Sequence, residues 1–106
     1  MDNKSHQMIA LEAADVAEKV LINFEKENPD DDRPRKAIAA ARNWCAGKIK
    51  VGEARKAAFA AHAAAREAKS ATAVFAARAA GHAAATVHVP AHAEAAKKYA
   101  EKSKLK

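Results

Sequence analysis

Alanine occupies 32 of the 106 positions in this chain, and that fact constrains the fold more than any other. Alanine is the best intrinsic helix former, because it loses no side-chain entropy on entering a helix. It also brings only one methyl group to a core. Half of the residues are apolar, yet only 21 of them are larger than alanine. Burying one such larger side chain stabilises a fold by roughly 1.5–3 kcal/mol, so the chain can build a modest core and no large one. Three glycines, three prolines and 5% aromatic residues leave too few turns and too few branched or ring side chains for a β-sandwich or barrel. The expectation is an all-α fold: a single domain over residues 1–106, built as a compact Ala-rich bundle of four to five helices.

The punctuation supports this reading. Ile9, Ala13, Val16, Val20 and Phe24 recur at helical spacing and predict an amphipathic helix from about Ser5 to Lys26. Pro29, Asp30, Asp31, Asp32 and Pro34 end it and begin a second, Arg33 to Ala46, with Pro34 in the first turn and aspartates where the helix dipole favours negative charge. Gly47 is placed to close that helix. Lys48–Gly52 is a short linker, and a third helix follows from about Glu53 to Lys69. Ser70 is a natural N-cap for a fourth, Ala71 to Thr86. Pro90 interrupts the chain, and a last helix is expected from Pro90 to Lys102. The lysine-rich residues 103–106 should fray.

Formal net charge is +6, unevenly spread. Residues 1–34 carry 4 basic and 9 acidic side chains, and residues 35–106 carry 15 basic and 4 acidic. Such a dipole either closes on itself within the fold or presents a basic face to an anionic partner. One cysteine, Cys45, forms no internal disulfide and suits a reducing compartment. No signal-peptide pattern opens the chain. The alanine-rich stretch Ala71–Val89 is interrupted by Arg78, His82 and His88 and does not suit a membrane span. These features together lead us to expect a cytoplasmic protein.

Helices three and four share a pattern. Phe59, His62 and Arg66 in one match Phe75, Arg78 and His82 in the other, with the two basic residue types exchanged. At 100° per residue, offsets of zero, three and seven fall within about 60°, so each phenylalanine shares a face with its His and Arg. With both rings in the core, the basic groups would line a polar seam. A hairpin turning at Lys69–Ala71 would set Phe59 against Gly81 and His62 against Arg78. Partly buried arginines need acceptors. In one reading Asp30–Asp32 fold back onto Arg55, Arg66 or Arg78. In the other, the arginines form an anion-binding groove or receive a partner's carboxylates. His88 and His92 have a zinc-compatible spacing, but the stretch between them holds Pro90 and no acid. A structural or capping role is therefore favoured, and no metal site is expected. No GxSxG, P-loop or Cys/His nucleophile pair is present, so neither catalysis nor a cofactor is expected.

The segments Pro29–Ile38 (PDDDRPRKAI), Glu53–Arg66 (EARKAAFAAHAAAR) and Ala77–His88 (ARAAGHAAATVH) resemble, in that order, a small all-α bacterial family of immunity proteins associated with polymorphic toxin systems. The resemblance covers roughly residues 20–100. It implies a protein that binds and neutralises a cognate toxin without chemistry of its own. The positions it marks are Asp31, Asp32, Arg33, Arg35, Arg55, His62, Arg66, Arg78, His82 and His88. Pro90 and Gly52 depart from the pattern: Pro90 replaces an ordinary helical residue, and Gly52 stands where a serine cap would be stronger.

Three functions compete. A toxin-binding immunity module leads. A nucleic-acid-binding protein is the alternative, motivated by the basic second part of the chain, although no helix-turn-helix spacing or stacking platform is visible. A histidine-based metal binder or enzyme comes last. Alanine faces left over after folding keep a homodimer open.

Overall fold

The computed structural model describes residues 2–105. Six helices follow one another, with no strand among the described residues: α1 Asn3–Val20, α2 Ile22–Glu25, α3 Arg33–Cys45, α4 Val51–Glu67, α5 Ala71–Ala85 and α6 His92–Leu105. The number exceeds the expected four to five because the first expected helix is divided at Leu21. There the ladder tightens to i→i−3 bonds, Leu21 N–H to Glu18 C=O at 3.2 Å and Phe24 N–H to Leu21 C=O at 3.0 Å. Neither glycine nor proline marks the place.

The ends of α3 and α5 have clear local causes. Pro34 lies in the first turn of α3. Its last turn closes in a Schellman motif, with Lys48 N–H on Asn43 C=O at 2.9 Å and Gly47 N–H on Trp44 C=O at 3.0 Å. Gly47 holds φ +75°, the left-handed region where a Cβ is costly. The Ser70 hydroxyl accepts from Ala73 N–H at 3.1 Å and caps α5. α4 starts at Val51, before Gly52, with Lys50 at its N-cap position.

α5 is the centre and packs against every other helix. Nine of its 15 residues are buried, eight alanines and Gly81. A helix with apolar residues on nearly all sides belongs inside a bundle, and methyl-sized side chains let its neighbours approach to the short end of the usual range, about 8 Å. The molecule is accordingly thin, 38 × 24 × 17 Å. The few large core side chains, Phe24, Val20, Leu21, Ile38 and Val87, fill the spaces that alanine cannot.

Two polar ties fasten the ends. His6 Nε2 donates to the Thr86 carbonyl at 2.6 Å, joining the start of α1 to the end of α5. Ser103 is buried; its hydroxyl donates to Thr72 C=O at 2.9 Å and accepts from Asn23 Nδ2 at 2.9 Å. The end of α6 is therefore helical through residues 103–105 and anchored on α5 and α2, where a frayed tail was expected; Lys106 lies outside the described residues. α6 begins at His92, two residues after the expected Pro90, because the turn through Val89 carries the chain around the proline.

Candidate functional site

α4 carries two stripes at the same spacing, one residue apart. Ala54, Ala58, Ala61 and Ala65 form the buried stripe. Arg55, Phe59, His62 and Arg66 form the other, spanning an arc of about 60° at 100° per residue. The condition set above, that both rings lie in the core, fails for Phe59: the residue is 63% exposed, with the Arg55 guanidinium 5.9 Å from its ring centroid. Close packing against α5 favours the four methyls over one ring. Phe75 is half-buried on α5 and stacks on Tyr99 of α6 at 6.1 Å.

The hairpin of α4 and α5 brings His62 to Arg78, as the spacing predicts, with Arg78 Nη1 donating to His62 Nδ1 at 2.9 Å. It does not set Phe59 on Gly81. His62 occupies that place: a Cβ built on Gly81 would lie 2.7–2.9 Å from three atoms of the His62 ring. His62 thus reaches both Arg78 and the Gly81 backbone one turn further along α5, and the bare glycine is what leaves room there for the imidazole.

From His62 the rings continue across α5 to α6. His62 meets His82 edge-on at 4.7 Å. His82 stacks on Tyr99 at 5.4 Å, and its Nδ1 lies 2.9 Å from His92 Nδ1. His88 sits 5.9 Å from His92, with a buried Nδ1 that has no partner. An Nδ1–Nδ1 hydrogen bond needs one bare nitrogen, and Arg78, which can only donate, requires a bare Nδ1 on His62. The Arg78 contact therefore holds the His62 ring neutral, and the Nδ1–Nδ1 contact leaves room for at most one doubly protonated ring. Burial pushes His62 down to about 4, helped by His82, Arg78, His92 and Arg66. Burial, His92 and Arg78 bring His82 down to about 4 as well. His88 is lowered by burial, Arg55 and His92.

Among the described residues, Arg55, Arg66 and Arg78 have no carboxylate within ion-pair distance. Asp30–Asp32 do not fold back onto them. Asp31 pairs with Arg33 at 2.7 Å, and Arg33 also reaches Glu67 at 2.8 Å. Asp32 pairs with Lys36 at 3.3 Å and Arg35 with Glu25 at 2.7 Å. The Arg33 hydrogen bonds hold Asp31 below the usual carboxylate range, and Arg35 does the same for Glu25. Of the ten positions marked in the sequence, Asp31, Asp32, Arg33 and Arg35 thus form an ion-paired rim at the start of α3. Arg55, His62, Arg66, Arg78, His82 and His88 border the ring cluster. His92 and Tyr99 complete it and were not among the ten, although their seven-residue spacing places both on one face of α6.

Among the described residues, no group of three or more His, Cys, Asp or Glu side chains is placed to hold a metal ion. No helix among the described residues is long and apolar enough to cross a membrane. Shallow grooves beside α1 are lined by Glu18, Leu21, Arg35, Ile38 and Arg42 on one side and by Ile9, Glu12, Pro90 and Lys97 on another; the ring cluster lines neither. What the cluster offers is a surface: guanidiniums and one exposed ring on a rigid imidazole base.

These features define a small all-α protein with a cationic, ring-bearing helical face. Over residues 1–104 the chain matches the model of the family described as Imm-5 like putative immunity protein, and it belongs to that family. Membership in an immunity-protein family implies a toxin partner in general. Comparison with curated proteins and with solved structures returned no match.

Proposed function

We propose that this protein is a cytoplasmic immunity protein that neutralises a bacterial toxin domain by binding it directly, with no reaction of its own. The observation that carries this reading is the family match, which spans all but the last two residues. The geometry agrees with it: the distinctive polar groups lie on a helical surface, as a protein-binding module needs, and not in a cleft. The experiment is to express the toxin domain encoded beside this gene in cells with and without the protein. Protection, together with a complex of the two purified proteins, is the expected result. Deletion that never sensitises cells to any encoded toxin would contradict it.

Nucleic-acid binding is the second reading. It is favoured by the guanidiniums of Arg55, Arg66 and Arg78, which no carboxylate neutralises. It requires salt-dependent retardation of DNA or RNA at micromolar protein; absence of binding at low salt removes it.

A further inference from the structure

We infer that the toxin docks on the face formed by Arg55, Phe59, His62 and Arg66 of α4 with Arg78 and His82 of α5, and that the docking element is an acidic segment bearing an apolar side chain for Phe59. This inference rests on the immunity reading and adds to it the surface and the chemistry of the partner.

Three independent observations converge on that face. The first is charge. Residues 51–106 contain only four acids, Glu53, Glu67, Glu94 and Glu101. Glu67, Glu94 and Glu101 pair with Arg33, Lys97 and Lys104, so nothing in the described fold answers Arg55, Arg66 or Arg78. Elsewhere the molecule answers its arginines: Arg33, Arg35 and Arg42 each hold one or two carboxylates. Arginine forks without an acceptor suit planar carboxylates supplied from outside.

The second observation is Phe59. Among the described residues it is the most exposed of the large apolar side chains and stands between the two α4 arginines. An exposed ring flanked by arginines matches the residue types that dominate interface energetics, since aromatic residues and Arg are enriched there. The third is rigidity. Beneath the arginines, His62 is wedged onto the Gly81 backbone and tied to Arg78, so the Arg78 guanidinium is already oriented and little freedom is lost on docking. A second copy of the same face would be repelled by its own charge, which disfavours a symmetric dimer here.

The test measures binding of the purified full-length protein to the toxin domain encoded by the adjacent gene, by surface plasmon resonance. Variants are Arg55→Glu/Arg66→Glu, Phe59→Ala and, as controls on other surfaces, Lys19→Glu and Lys36→Glu. All altered side chains project into solvent, and circular dichroism checks that each variant keeps its helices. The double reversal should weaken affinity at least 100-fold and Phe59→Ala at least tenfold, with the controls within threefold of wild type. Raising salt should slow association. Glu→Lys changes in the toxin's acidic segment should restore binding to the double reversal. Wild-type binding that the face variants leave unchanged overturns the inference and leaves the immunity reading standing. Wild type that binds no encoded toxin overturns the immunity reading, and the inference falls with it. Retardation of a DNA duplex that the same variants abolish, with toxin binding intact, assigns the face to nucleic acid and also overturns the inference.

Discussion

The two sides of this small bundle treat charge in opposite ways. Around α1 and α3, acids and bases neutralise one another: Arg42 holds Asp15 and Glu18, Arg35 holds Glu25, and Arg33 holds Asp31 and Glu67. Most of these pairs are exposed and the Arg33–Asp31 pair is part-buried; pairs at the surface contribute little stability each. On α4 and α5, Arg55, Arg66 and Arg78 have no carboxylate within ion-pair distance among the described residues, and the imidazoles of α4, α5 and α6 pack on one another and on Tyr99. The first side is closed electrostatically. The second is kept open, with alanine packing supplying the rigidity that ion pairs do not. Arginines left unanswered within a fold that answers its other arginines are what a binding surface for an anionic partner requires.

That contrast can be broken most severely at its base. Ala80 is fully buried on α5; Ala80→Leu forces extra volume between closely spaced axes and should cost about 3 kcal/mol, toward the upper end for overpacking. Chemical denaturation would measure it, and a loss below about 1 kcal/mol would mean that the interior is looser than described. Acidification comes next. His62 and His82 titrate near 4 in the fold and near 6.5 when unfolded, so the unfolded chain binds more protons between those values. Stability from these groups is fully present above pH 6.5 and is lost as pH falls toward 4. Tm should drop over that window, and a His62→Gln/His82→Gln variant should show a flatter profile.

Gly81→Ala should cost about 1 kcal/mol net, because displacing His62 outweighs the gain in helix propensity. Its His62–Arg78 contact should be lost as well, which a structure of the variant would reveal. The smallest effect belongs to the closed side. Arg33→Ala removes one exposed and one part-buried pair and should change stability by no more than about 1 kcal/mol, less at high salt. A larger loss there would erase the distinction between the two sides.

Much of the fold was legible because helix starts and stops have local causes. Pro34, Gly47 and Ser70 act through their own backbone or hydroxyl and could be placed within a residue. The division at Leu21 could not, since no residue type marks it. The sequence does not distinguish which face of α4 turns inward, for a related reason. Arg55–Phe59–His62–Arg66 and Ala54–Ala58–Ala61–Ala65 have equal helical periodicity, and the larger ring suggested the core. In a bundle whose central helix is sheathed in methyls, small side chains gain more by letting axes approach than a ring gains by burial.

The candidate site was legible in part for the same reason. The repeat placed His62 beside Arg78 because that contact depends on helix geometry and a tight turn. His92 and Tyr99 reach the cluster only through the docking of α6 across the Pro90 turn, which no local pattern encodes. The acids at the start of α3 were sought by distant arginines in the expectation; neighbouring Arg33 and Lys36 captured them first, because a nearby cation costs less chain entropy to reach.

The neutral imidazole base beneath unanswered arginines is best tested by nitrogen-detected NMR of the histidine side chains during a pH titration. His62 and His82 are expected to stay singly protonated through pH 5 and to titrate near 4, with His62 carrying its proton on Nε2. Titration of both near 6.5, as in a solvent-exposed imidazole, would contradict that neutral base.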